Sequence, residues 1–214
     1  MKRMLCFLAV GLLFAQVASA DITPLSGPLQ HRHLTLTENG TTIETTPSLG
    51  PSNLVYDNIA AGAAGYLAFP AAAGVVGQDD YDTSADTPFV LLESFQFVGG
   101  VAELPGGDLS FDIGGETFGV SLPEGGNFIW TITLTTPTLV ADSGLFTASA
   151  VGGSTGVLFL SDGIPAVGTT VTGSAFTGDF DHNFALNGTA AIPEPTSVAI
   201  LSIVGLGLVS RRRR

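Results

Sequence analysis

Apolar residues along this chain recur mainly at every second position, the period of a strand that buries one face. NFIWTITLTT, residues 127–136, shows it most plainly: Phe128, Trp130, Ile132 and Leu134 share one face, and Thr131, Thr133 and Thr135 line the other. HLTLTENGTTIETT, residues 33–46, alternates on both sides of Asn39-Gly40, the dipeptide most expected in a tight hairpin turn. DLSFDIGGETFGV, residues 108–120, predicts a second hairpin, with Leu109, Phe111 and Ile113 on the way out, reversal at Gly114-Gly115, and Phe118 and Val120 on the return. FVLLESFQFVGGV (89–101), whose Phe95 and Phe97 share a face, LFTASAV (145–151), GVLFLS (156–161) and FDHNFALNG (180–188) continue the series. Residues 58–78 are rich in alanine but cut by Gly62, Gly65, Pro70 and Gly74, which predicts loop and irregular strand with one helical turn. These short strands separated by turn signals predict an all-β fold, a two-sheet antiparallel sandwich or jelly roll.

The two ends leave this pattern. Lys2 and Arg3, then the apolar stretch Leu5 to Phe14, then Ala18-Ser19-Ala20 before Asp21, read as a secretory signal helix with an A-x-A cleavage site. At the other end a short apolar segment, expected to be helical, is followed by four arginines. The chain therefore divides into a signal peptide (1–20), an acidic β-sandwich domain (21–190) and a tail (191–214). The only cysteine, Cys6, lies inside the signal, so the mature domain is expected to rest on burial without a disulfide. With 28 glycines and 12 prolines, the composition agrees with many turns between short elements.

Charge changes the picture once it is divided by region. Residues 21–195 carry all nineteen acidic residues against the single base Arg32, a net charge of −18. Such a surface repels nucleic acid and anionic headgroups, which excludes nucleic acid as a partner class.

Candidate chemistry is sparse. Asp79, Asp80, Asp82 and Asp86 in QDDYDTSAD supply oxygen ligands of the kind calcium takes on an extracellular loop, although the glycine and glutamate of a twelve-residue calcium loop are missing. The alternative is a solvated acidic turn. No other cofactor is called for. His31 and His33 share one side of a strand, as a transition-metal pair would, and a three-histidine zinc site would require His182 to join them. Gly152-Gly153-Ser154-Thr155-Gly156 matches G-x-S-x-G, but a nucleophile elbow needs a helix after the serine, where VLFLS reads as strand. Trp130 reads as core in preference to a sugar-stacking platform. No pair of carboxylates is singled out for glycoside hydrolysis.

From Thr196 to Ser210 the tail offers a helix of roughly 22 Å against a hydrocarbon core of about 30 Å, a short anchor. Arg211, Arg212, Arg213 and Arg214 would hold its end in the cytoplasm and leave the acidic domain outside. Pro193-Glu194-Pro195, the apolar stretch ending in GLGLV and the terminal arginines together resemble the PEP-CTERM sorting signal of bacterial exosortase substrates. The resemblance implies that an exosortase in the inner membrane recognises the tail and cuts near Pro193, Glu194 and Pro195, after signal peptidase has removed residues 1–20. The body, with YDN, QDDYDTS and FVLLESFQFVGGV in order, is loosely similar to the β-sandwich domains found before such tails. The expectation is an exported, non-enzymatic protein, transiently anchored in the inner membrane and then placed at the cell surface or in the extracellular matrix, where extracellular polysaccharide is a candidate partner. The alternatives are a carbohydrate-binding module, with or without calcium, and last a hydrolase.

Overall fold

The structure, a computed structural model, describes residues 29–46, 53–59, 65–161, 164–169 and 181–192. The signal and tail residues Ala18, Ala20, Asp21, Pro193, Glu194, Pro195 and Arg211 to Arg214, with their two expected helices, lie outside the described residues. Within them the chain is built almost wholly from strands: β1 (His31–Leu36), β2 (Thr42–Glu44), β3 (Leu54–Asp57), β4 (Gly65–Pro70), β5 (Val76–Asp82), β6 (Phe89–Val101), β7 (Gly107–Ile113), β8 (Glu116–Leu122), β9 (Gly126–Ala141), β10 (Ser143–Val151), β11 (Thr155–Ser161), β12 (Asp181–His182) and β13 (Phe184–Ala191). A short 3-10 turn, Ala71–Ala73, joins β4 to β5, which is the helical turn expected in the alanine-rich stretch.

The strands form two sheets, as an all-β sandwich requires. The smaller sheet has the order β5-β10-β7-β8 and is antiparallel throughout. The larger sheet runs β2-β1-β9-β6 and then forks. The end of β6 pairs with β11 through Gly99 to Val101, while its first part, Phe89 to Phe97, pairs with β13. Asn183 sits at the crotch of the fork, taking its N–H to Phe159 O and receiving the Val98 N–H on its own carbonyl. Beyond the fork β4 extends the β11 branch and β3 the β13 branch. Among the described residues every strand pairing is antiparallel except β1 with β9, which is parallel, because β1 enters the sheet from a distant part of the chain instead of by a hairpin with β9.

Both expected hairpins form. Gly114 (φ 58°) and Gly115 (φ 93°) make the two-residue turn between β7 and β8 and bring Phe111 opposite Phe118. At the β1–β2 turn Gly40 adopts φ 77° and donates to Thr37 O at 2.9 Å. A Cβ at Gly40 would meet nothing within 4 Å, so only backbone strain opposes a side chain there. Gly40→Ala is expected to lower stability by about 1 kcal/mol in a denaturant titration, without changing the slope of the transition.

The inward faces enclose an aromatic chain that crosses between the sheets. Phe118 meets Phe95, Phe95 meets Phe111, Phe111 meets Phe146, Phe146 stacks on Phe184 at 4.2 Å, and Phe184 stacks on Tyr56 at 4.6 Å. Trp130 is fully buried and donates its indole N–H to Gly99 O at 3.2 Å. The sheets are also tied at their sides by polar bonds. On one side Ser121 N donates to the Thr42 hydroxyl at 3.1 Å, joining β8 to β2; on the other, Asp79 of β5 reaches β12.

Candidate functional site

The acidic run QDDYDTSAD lies largely on strand β5, where an exposed loop was expected. Strand alternation decides what each carboxylate does. Gly77, Asp79 and Tyr81 face inward, whereas Asp80 and Asp82 lie on the opposite face, and Asp86 is in the loop that follows. The four candidate calcium ligands are thus not brought together, and among the described residues no group of three or more His, Cys, Asp or Glu side chains is placed to hold a metal ion. Asp82 instead exchanges two backbone hydrogen bonds with Thr169 at 2.8 Å.

Asp79 is completely buried. Its Oδ2 accepts the backbone N–H of His182 at 2.6 Å, and its Oδ1 accepts that of Asp80 at 2.8 Å. Burial pushes its carboxyl up to about 8, with the nearby Asp181 and Asp80 charges adding to the rise and the two N–H donors opposing it. Around it stand other enclosed polar groups. Asn58 donates its Nδ2 to His182 O at 3.1 Å, and the His182 imidazole, fully buried beside Gly77, is driven down to about 4 by desolvation. The Tyr56 hydroxyl is pushed well above its ordinary range by burial and by the field of Asp79. Among the described residues the Tyr56 hydroxyl, Asn58 Oδ1, both ring nitrogens of His182 and Asn183 Nδ2 have no protein partner, the situation that ordered water satisfies in folded domains. An acid and an imidazole with displaced pKa values would suggest acid–base chemistry in a cleft. Here Asp79, His182 and Asn58 are all 0% exposed, so the cluster acts as a polar joint between sheets.

The other sequence candidates also disperse. His31 and His33 lie on the outer face of β1, while His182 is buried on β12, with β9, β6 and β11 between them in the sheet. Arg32 points the other way, paired with Glu124 and placed 5.0 Å over the ring of Phe128. Ser154 is buried after the Gly152-Gly153 turn, and its Oγ accepts the Asp108 N–H at 3.0 Å; β11 follows it as strand. Trp130 lies in the core, and among the described residues no aromatic ring is one of the large exposed hydrophobic side chains.

Among the described residues a groove beside the β1–β2 turn has the volume of a small binding site, and no sequence motif announced it. Between Leu92 and Ser94, β6 passes the single residue Glu93 while β9 passes residues 134–137, so β9 bulges away from its partner. The bulge, the β1–β2 turn and strand β8 enclose a groove of about 330 Å³. Its floor is Leu36, Phe118 and Leu134, core side chains that keep 7% exposure, and its rim carries Glu38, Glu116, Thr117, Thr136 and Thr138. A second depression of about 540 Å³ is lined by Asn39, Thr41 and Ile43 and shares Thr37, Glu38, Thr135 and Thr136 with the first. The Thr136 hydroxyl donates to Glu38 Oε1 and bridges the two lobes. β8 is the edge of its sheet, and the ladder alternation turns the N–H and C=O of Thr117, Gly119 and Ser121 away from β7. Ser121 N–H is taken by Thr42, whereas Thr117 and Gly119 line the groove.

Among the described residues no helix is long and apolar enough to cross a membrane. Compared with known proteins, the chain matches no family model, no curated protein and no solved structure.

Proposed function

We infer that the protein is an exported, non-enzymatic component of the cell surface or extracellular matrix, delivered through its C-terminal tail. The observation that carries this reading is the order Pro193-Glu194-Pro195, apolar Thr196 to Ser210, Arg211 to Arg214, placed behind a domain whose sole base is Arg32. Signal peptidase acts at Ala18 and Ala20 and leaves Asp21 first; the arginines orient a transient inner-membrane anchor; exosortase then cuts at the Pro-Glu-Pro. The fold is compatible in one useful respect. Among the described residues β13 is the last strand and ends at Ala191, and Ile192, the residue before the motif, is 74% exposed. Prolines at 193 and 195 favour an extended backbone there, the form a processing cleft takes.

Intact-mass measurement of the protein from its native host is expected to give a chain from Asp21 to near residue 195. Residues 196–214 retained on most molecules would overturn the sorting reading and leave a plain tail anchor. The second reading, a carbohydrate-binding module, is favoured by the two-lobed groove beside the β1–β2 turn.

A further inference from the structure

We propose that the groove between the β1–β2 turn, the β9 bulge and the β8 edge binds a linear neutral polysaccharide. The two lobes share Thr37, Glu38, Thr135 and Thr136 and together run from Glu116 and Thr117 of β8 to Thr41 and to Ile43 of β2, a surface that suits an extended chain of several sugar rings better than one compact ligand. Their lining contains no lysine, arginine or histidine, and of its threonine hydroxyls those of Thr37, Thr135, Thr136 and Thr138 donate their proton within the protein and so present acceptor oxygens to sugar hydroxyls, while no internal donation is committed at Thr117. Glu38 and Glu116 add carboxylates that accept from paired ring hydroxyls, and they repel uronate- or sulfate-bearing polymers together with the rest of the strongly acidic body. The apolar floor of Leu36, Phe118 and Leu134 receives the C–H face of a ring, while the exposed edge of β8 offers backbone N–H and C=O at Thr117 and Gly119.

The rim is held in place before any ligand arrives. Thr37 N donates to Thr41 O at 3.0 Å, the Thr37 hydroxyl donates to the same carbonyl at 2.9 Å, and the Thr135 hydroxyl donates to Leu36 O at 3.2 Å. Less conformational freedom is then lost on binding. A metal ion fits poorly, since no three ligating side chains converge among the described residues. The groove lies entirely within the body, so this inference and the tail reading succeed or fail separately: the binding assay reads the same on molecules that keep residues 196–214.

The test is affinity electrophoresis of the protein isolated from its host, through gels containing hydroxyethyl cellulose, mixed-linkage β-glucan or dextran, with alginate as the anionic control. At least one neutral polymer is expected to retard the protein, and alginate is expected not to. Glu38→Gln, Glu116→Gln and Thr136→Val, all at surface positions, are expected to weaken retardation roughly tenfold each with an unchanged melting temperature. Thr147→Val, on β10 away from the groove, is expected to leave it unaltered. Failure of all three neutral polymers to retard the protein, retardation by alginate alone, or retardation that survives the three groove substitutions would overturn the proposal. So would concentration-dependent dimerisation that the same substitutions abolish, which would assign the groove to a second copy of the chain.

Discussion

Gly100→Ala is expected to remove most of the folding stability, at least about 4 kcal/mol, and to leave little soluble folded protein. The reason is the place of Gly100 at the base of the fork, with β9 on one side and β11 on the other, opposite Asn127 and Val157. A Cβ there would lie 1.9 Å from Gly126 O, and the neighbouring Gly99 would place one 1.9 Å from Val157 O. Both obstacles are backbone carbonyls of paired strands, so relief requires prising apart the ladder that seats Trp130. Gly119→Ala is the matched control: it is also a strand glycine, but its Cβ meets nothing within 4 Å, and it is expected to fold with unchanged or slightly higher stability. Urea titrations of the two variants beside the parent check the pair. A Gly100→Ala protein as stable as the Gly119→Ala protein would mean that the fork is not packed as described.

The contrast between those two glycines also shows what a sequence can disclose. Local alternation reveals faces, so the inward set Phe128, Trp130, Ile132 and Leu134 and both hairpin turns were legible, and each strand expected from alternation forms, while β3 and β5 were not foreseen. Partners across the chain leave no such trace. Nothing in HRHLTL announces that β1 will lie parallel to β9, and nothing distinguishes Gly100, clasped between strands, from Gly119 at an open edge. β5 was hidden for a different reason. Of its inward residues Gly77, Asp79 and Tyr81 only the last is large and apolar, so VGQDDYD reads as an acidic loop although Asp79 is buried. The groove depends on a register shift between Leu92 and Ser94 and on an edge some twenty residues away, neither of which has a motif. The tail is the opposite case: its meaning lies in its linear order and needs no tertiary partner.

Stability is expected to be nearly level from about pH 4 to 6 and then to fall by roughly 2 kcal/mol between pH 6 and pH 8. Asp79 drives the fall. Its carboxyl holds its proton to about 8 in the folded protein, whereas in the unfolded chain an aspartate ionises near its ordinary value of 3.8. Between those limits folding takes up a proton, so stability declines with rising pH, and the decline ends above pH 8, where both states are ionised. His182 works in the opposite direction: folded it is neutral down to about 4, unfolded it protonates near 6.5, so folding releases a proton in that window and stability rises with pH. The two slopes offset one another until His182 stops titrating, which leaves the Asp79 slope alone above about pH 6.5. Asp79→Asn is expected to cost about 1–3 kcal/mol at pH 5, because an amide cannot accept both the His182 and the Asp80 N–H. The same variant is expected to show the His182 rise from pH 4 to 6.5 and no fall between pH 6.5 and 8. Urea midpoints for both proteins across pH 4 to 9 test this. A parent protein whose stability is flat or rising through pH 8, or an Asp79→Asn variant that keeps the alkaline fall, would show that Asp79 does not carry a proton into the core, and the joint between β5 and β12 would then be a charged one.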